Sequence, residues 1–300
     1  MTRREALRAA AAAALVLAPG RPAHGRDAPE ASRGAMPPAR KEETRTMHLG
    51  IVTYNVARDW DLDTLLSICR ETGMEGVEFR TTHAHGVEPS LGADARRAVR
   101  EKCAAAGVRQ TSLGTVCEFH SPDPRVVRAN VDTCRAFIDL ARDIGARGVK
   151  VRPNRLAPGE DAAAVLTRIG AALAECGEIG MASGVEIWME VHGEGTMLPT
   201  NARAIMDACG HPNVGVTWNS NRADVEGGSL RHAFDLLRPF IRCCHITELW
   251  NDYPWRELFG LLRRARYERF TLCEIPATVR AEDGATFLRC YGALWKELQR

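Results

Sequence analysis

Glu190, Asn219, His245 and Glu274 each stand where a short apolar run gives way to a polar loop. The runs are Gly184-Val185-Glu186-Ile187-Trp188-Met189 before Glu190, Val214-Gly215-Val216-Thr217-Trp218 before Asn219, Cys243-Cys244 before His245, and Phe270-Thr271-Leu272-Cys273 before Glu274. Two carboxylates, an imidazole and an amide oxygen gathered at one place suit a divalent metal ion and acid/base work. They are gathered if the four runs are parallel strands of one barrel, because the strand ends then meet over a single mouth, where such barrels keep their chemistry.

The rest of the chain supplies the other strands. From Met47 onward, short Val/Ile-rich runs alternate with segments of helical period. The strand candidates are His48–Tyr54, Gly76–Arg80, Arg109–Thr115, Gly148–Arg152, Gly184–Val191, Val214–Trp218, Ile241–Ile246 and Phe270–Glu274. Val126, Val127, Asn130, Val131, Cys134, Phe137, Ile138 and Ala141 recur at helical spacing, opened by Ser121-Pro122-Asp123-Pro124. Gly73, Gly107, Gly145, Gly184 and Gly210 precede strands as helix C-caps would. Repeated strand-to-helix alternation predicts an α/β fold, a single (β/α)8 TIM barrel over residues 47–300. Within the strands, Lys150 and Arg152 share one face and Val149 and Val151 the other; Glu78 and Arg80 are split likewise from Val77 and Phe79. The apolar face of a barrel strand meets the helices, so these charges point inward, where each needs a partner or a ligand.

Hydrophobic residues make up 45% and charged residues 26% of the 300 residues, enough for a buried core, and the formal net charge is +2. With no basic stripe interleaved with aromatics, neither nucleic acid nor a membrane surface is implied as a partner. Residues 1–25 read as a twin-arginine-type signal peptide: Arg3-Arg4, an alanine-rich apolar stretch too short to span a bilayer, and a small-residue cleavage region near Ala23-His24-Gly25. The expectation is a periplasmic or otherwise extracytoplasmic protein that meets the twin-arginine export machinery, with no stable membrane insertion after cleavage. An alanine-rich N-terminal helix or a misassigned start is the alternative. Residues 26–46 read as a disordered linker. The ten cysteines form no C-x-x-C, and Cys69, Cys134, Cys176 and Cys290 fall on apolar helix positions, which predicts buried free thiols.

Further candidates ring the expected mouth. Arg80, Lys150 and Arg152 could hold a phosphate, a carboxylate or a developing enolate, or simply compensate Glu78, Glu118, Glu190 and Glu274. His83 and His85 after strand two, and Glu118 and His120 after strand three, have spacings that suit a metal but more often serve substrate hydroxyls. His192 could orient a substrate or cap the loop at Gly193. Tyr54-Asn55 and Trp250-Asn251-Asp252-Tyr253 could contact a sugar-like ring or anchor loops. His211 and His232 read as surface residues.

Gly76-Val77-Glu78-Phe79-Arg80, Met189-Glu190-Val191-His192-Gly193, Cys244-His245-Ile246-Thr247-Glu248 and Cys273-Glu274-Ile275-Pro276 resemble the xylose isomerase-like barrel superfamily of sugar (phosphate) isomerases and epimerases. The resemblance runs from about Met47 to Leu298, and the order and spacing of the motifs carry it more than any one alone. It implies that Glu190, the position of Asn219, His245 and Glu274 hold a divalent ion (Mn, Mg, Co or Zn), and that Glu190 and Glu274 exchange a proton with the substrate through an enediolate. It places Asn55, Glu78, Arg80, His83, Glu118, His120, Lys150, Arg152, His192, Asn221, Arg222 and Glu248 around a small carbohydrate-like substrate. Asn219 departs from the pattern, an amide where the relatives have a carboxylate, and Arg222 stands where they usually have His or Asn. Three arrangements are open: a weaker metal site, a replacement ligand from Glu118 or Glu248, or no ion, with Arg222 partly taking its place. The expected activity is that of a metal-dependent sugar or polyol isomerase or epimerase. Its rivals are a keto-polyol dehydratase or lyase, a metal-assisted hydrolase, and a non-enzymatic sugar-binding barrel with a decayed metal site. Self-association is left open.

Overall fold

A computed structural model describes residues 47–156 and 159–300. Eight strands among them pair in parallel and in sequence order, and the eighth closes on the first. They are β1 (His48–Val52), β2 (Gly76–Arg80), β3 (Arg109–Glu118), β4 (Gly148–Arg152), β5 (Glu186–Glu190), β6 (Val214–Asn219), β7 (Ile241–Ile246) and β8 (Phe270–Cys273). The helices between and after them are α1 (Leu62–Thr72), α2 (Ala93–Ala106), α3 (Pro124–Ile144), α4 (Ala162–Ser183), α5 (Pro199–Cys209), α6 (Arg231–Leu237), α7 (Trp255–Arg264) and α8 (Ala281–Leu298). This is the (β/α)8 TIM barrel that the alternation predicts, with strand ends shifted by a few residues. β3 runs on to Glu118, and Tyr54 and Glu274 fall in the loops after β1 and β8. The leader and linker expected over residues 1–46 lie outside the described residues. Among the described residues no helix is long and apolar enough to cross a membrane.

Local chemistry starts and stops the helices where the sequence says. Asp123 accepts from the Arg125 amide at 2.9 Å with Pro124 next to it, and so opens α3. Gly73, Gly107, Gly145, Gly184 and Gly210 all cap helices in the left-handed conformation, with φ between 58° and 81°. Such caps turn the chain sharply into the next strand.

Strand register divides the barrel interior into layers. Val52, Trp188, Cys243 and Leu272, with Phe270 packed against them, form an apolar plug inside the lower barrel. Glycines make room for it: a Cβ at Gly148 would come 2.6 Å from the Trp188 ring, and one at Gly76 would come 2.6 Å from Phe270. Above the plug the inward positions turn polar, with Glu78, Lys150, Glu190, Thr217 and His245 all buried. The valines, isoleucines and leucines of the outward faces pack under the helices in one continuous core.

All ten cysteines are free. Cys69, Cys134 and Cys176 are buried as expected, but Cys290 is exposed. The inner face of α8 is set by Leu288, Tyr291 and Trp295, and Cys290 falls beside that stripe rather than on it. His211 also departs from expectation. Its side chain is 8% exposed and its Nε2 lies 3.0 Å from Glu178, so it packs against α4 instead of facing solvent.

Candidate metal centre and active site

At the C-terminal ends of β5, β7 and β8, Glu190, His245 and Glu274 each offer one ligand atom, and these atoms lie within 4.8 Å of one another. His245 is fully buried, with Nδ1 3.5 Å from Glu190 Oε1 and 3.1 Å from Glu274 Oε2. Neither contact is aligned as a hydrogen bond, so Nδ1 is a buried polar atom without a partner. On the other side of the ring, Nε2 is 3.3 Å from Glu78 Oε2, and that carboxylate also accepts from Ser112 Oγ at 2.6 Å. With one proton on Nε2, facing Glu78, Nδ1 aims between two carboxylates, a position that holds either a second proton or a cation. A carboxylate behind an imidazole whose free nitrogen faces anionic oxygens is the usual setting of a metal-bound histidine. The donor set fits a divalent cation.

Lys150 from β4 completes the buried charges, its Nζ donating to Glu190 Oε2 at 2.6 Å. Burial alone would raise the Glu190 pKa, but Lys150 and His245 hold it well below the usual carboxylate range. Glu78 follows the same pattern: burial works against its charge, and His245, Lys150 and Ser112 bring its pKa down. For His245 burial disfavours the cation, yet Glu274, Glu78 and Glu190 push its pKa well up. The layer therefore keeps its carboxylates ionised and exerts a strong pull on any positive charge placed between Glu190 and Glu274.

Asn219 pairs in register with His245 on the neighbouring strand, which sets its side chain on the same inward face. Arg222, in contrast, turns out of the mouth. Its side chain is 92% exposed and pairs with Asp252 at 3.5 Å. The cause is a short 3-10 turn, Arg222–Asp224, whose start is closed by a reciprocal capping box between Asn221 and Asp224. Asn221 is used up in this turn, donating to Val191 O at 2.7 Å.

Beneath the turn, the buried Asp224 carboxylate accepts from Tyr253 Oη at 2.8 Å and from the Asn221 amide at 2.9 Å, while Trp218 Nε1 donates to Tyr253 Oη at 3.1 Å. Burial pushes the Asp224 pKa from 3.8 up to about 7. Between those values the folded chain keeps a proton that the unfolded chain has lost, so stability falls as pH rises through the window and is level above it. The expected slope is about 1.4 kcal/mol per pH unit. Asp224→Asn removes it. Urea denaturation at about pH 5 and about pH 7 should show the wild type losing stability relative to that variant; parallel behaviour would refute the protonated, buried carboxyl.

The other predicted site residues divide into three groups. Glu78 and Lys150 lie under the centre, 0% and 3% exposed, and support Glu190 and His245 from below. Arg80, Glu118, Arg152, His83, His120 and His192 stand higher, at the ends of β2 to β5 and in the loops that follow. There Glu118 accepts from Arg152 and, at 2.7 Å, from Asn154 Nδ2, and His83 stacks on Tyr54 with centroids 6.3 Å apart. Asn55 and Glu248 are half-buried in the loops after β1 and β7, and neither side chain has a hydrogen bond or ion pair with the described residues. His85 is no rim group. It is buried, its Nε2 3.0 Å from Arg80 O and its Nδ1 accepting from the Val87 amide, and burial pushes its pKa down to about 4.

Asn154, Ser112 and Asp224 belong to the site's framework without having been picked out from the sequence for that role, whereas Tyr253 takes the loop-anchoring role that was one of its two readings. Asn154 adopts a left-handed φ of 74°. Its carbonyl presses so closely on Gly193 that a Cβ there would lie 1.1 Å from the oxygen. The Asn221-x-x-Asp224 spacing is a capping signal that the sequence does contain.

A family model for the xylose isomerase-like TIM barrel matches residues 66–291. No curated protein sequence matches the chain. Among solved structures, 3-keto-D-glucoside 4-epimerase from E. coli superposes with a TM-score of 0.67 at 16% identity, covering 84% of this chain and 100% of that one. D-Psicose 3-epimerase from Clostridium cellulolyticum with D-tagatose gives 0.66 at 15%, covering 84% and 96%. The IolI protein with a zinc atom gives 0.67 at 14%, covering 84% and 96%. At such identities the superpositions establish a shared fold.

Proposed function

Because the chain belongs to the xylose isomerase-like TIM barrel family, we propose that it is a metal-dependent isomerase or epimerase of a sugar or polyol. Glu190 and Glu274 would be its proton-transfer pair. The observation that carries this reading is the unpartnered Nδ1 of His245, buried between the two carboxylates and backed by Glu78. Similar barrels that act on ketoses or hold zinc support it.

Glu190, His245 and Glu274, with the Asn219 amide oxygen beside them, would hold the ion. A divalent ion bound there would polarise adjacent carbonyl and hydroxyl oxygens and make the neighbouring C–H more acidic. The chain's own residues do the rest. Lys150 keeps Glu190 ionised and fixes its Oε2, leaving Oε1 on the side of His245 Nδ1. Glu274 reaches the same Nδ1 from β8 as Glu190 does from β5, so one carboxylate can remove a proton while the other returns one. The apolar plug closes the barrel below and restricts bulk water to the mouth.

The direct test follows candidate ketoses and polyols in D2O with added divalent metal, reading α-proton exchange and epimer or isomer formation by NMR. Exchange with product of unchanged mass supports the proposal. Loss of water from the product, or binding without exchange across a broad panel, would remove it. Asn219 gives a companion measurement. Asn219→Asp restores the missing negative charge and should tighten Mn, Co or Zn binding by at least about tenfold in calorimetric titration. Equal affinity would mean that this position does not face the ion.

A further inference from the structure

Four buried nitrogens at the barrel mouth, His83 Nε2, His120 Nδ1, Arg152 Nε and His192 Nδ1, have no hydrogen-bond partner among the described residues, His120 Nδ1 standing 4.0 Å from Glu118 Oε2. They come from the ends of β2 to β5 and the loops behind them, whereas the proposed metal ligands come from β5 to β8. The acceptor available in that sector, Glu118, is already engaged by Arg152 and Asn154. Unmet capacity on this side therefore lies in nitrogen groups: Arg152 Nε needs an acceptor, and each imidazole nitrogen takes an acceptor or a donor according to its tautomer, which a ligand bearing oxyanion and hydroxyl oxygens supplies.

Arg80 points the same way. It lies two residues beyond Glu78 on the same inward face of β2, roughly 7 Å higher. Gly114 across the strand pair leaves space for it, since a Cβ there would come 3.2 Å from Arg80 Cδ. Its guanidinium sits 5.6 Å from the centre of the Tyr54 ring and donates to Thr81 O at 3.1 Å, with no carboxylate in ion-pair reach among the described residues. Glu118 is matched by Arg152 and Glu190 by Lys150. With a divalent ion between Glu190 and Glu274, the charges of Arg80, Lys150, Arg152 and the ion exceed by one those of Glu78, Glu118, Glu190 and Glu274, and of the three side-chain cations Arg80 is the one with no carboxylate at ion-pair distance among the described residues. Burial and the nearby Arg152 act against its charge and outweigh the pull of Glu190 and Glu78, a cost that an anion placed beside it would offset.

We infer that the substrate is an anionic sugar or polyol, whose terminal carboxylate or phosphate is held by Arg80 with His83 beside it, while its reacting carbons lie over Glu190 and Glu274. The height of Arg80 above the Glu78–His245 contact is one that a sugar's carbon chain covers. Planar donors suit either oxyanion. The inference rests on the proposed function for its reacting end and on the mouth alone for its anionic end.

The test uses the full-length chain with added divalent metal and a matched panel: neutral ketoses and aldoses, the corresponding uronates, and the terminal phosphates. Binding is read by calorimetry and proton exchange by NMR in D2O. Acidic members should bind at least about tenfold more tightly than their neutral counterparts, with a preference that weakens in high salt. The uronate and phosphate arms identify which oxyanion it is. In Arg80→Gln the acid-to-neutral ratio should fall toward unity, and Arg80→Lys should restore part of it. His83→Gln should lower the ratio too, an independent check if the Arg80 variants fold poorly. Equal binding of acids and neutral sugars by the wild type, or an Arg80→Gln ratio unchanged from it, would overturn the inference. Neutral sugars that exchange their protons would still leave the proposed function standing. Acids that bind through Arg80 while nothing on the panel exchanges would support the anion site and remove the isomerase reading instead.

Discussion

Replacing Glu274 with Gln is expected to lower substrate α-proton exchange by a factor on the order of 10³, measured at saturating divalent metal to offset the lost ligand charge, while the fold persists. Glu274 leaves β8 with its carboxylate 3.1 Å from His245 Nδ1 and its side chain 14% exposed, the most open of the three proposed ligating groups. Gln keeps the length and an oxygen able to face a cation, but it cannot take a proton from carbon. Thermal unfolding and metal stoichiometry serve as controls, since a binding defect would lower both exchange and metal content. A variant that is metal-loaded, folded and still exchanging at the wild-type rate would rule Glu274 out as a proton carrier.

Lys150→Met should be the most destabilising single change at the site. Both members of the Lys150–Glu190 pair are almost completely enclosed, their side chains 4% and 5% exposed. Methionine fills similar space but leaves Glu190 uncompensated beside Glu78 and Glu274. Removing one partner of a buried pair typically costs about 3–5 kcal/mol, on the order of 10 °C in melting temperature for a chain of this size. Added divalent ion should recover part of the loss, because an ion that binds only the folded state raises its apparent stability and here also supplies the missing charge. A melting temperature within about 2 °C of wild type, with or without metal, would show that the pair carries little of the stability assigned to it.

Much of this arrangement is visible in the sequence because a barrel strand has a period of two. Lys150 and Arg152, or Glu78 and Arg80, stand opposite outward apolar residues, and that alternation gives their inward direction before any fold is known. The height of each inward residue is not visible. It depends on the stagger between strands, and irregular pairing between Val77 and Glu78, between Gly114 and Glu118, and between Val216 and Thr217 resets that stagger locally. Glu78 and Lys150 therefore lie below the centre, while Arg80 and Arg152, two residues further on, reach the mouth. Arg222 shows the opposite difficulty. Its position in the motif is right, but the capped turn from Asn221 to Asp224 rotates it into solvent. Asn219, the departure evident from sequence, keeps its inward place beside His245.

The apolar plug also bears on isotope labelling. Trp188, Leu272, Val52 and Cys243 seal the interior below the polar layer, each at most 2% exposed, so a proton on Glu190 or Glu274 can reach bulk water only past whatever occupies the mouth. A substrate that fills that opening would hold the label inside until it leaves. Deuterium taken from the reacting carbon should then stay on the carboxylate that removed it and return to recovered substrate on reversal rather than wash out, while product carries the other carboxylate's proton, and the fraction retained in substrate would report how closely each substrate fits the mouth.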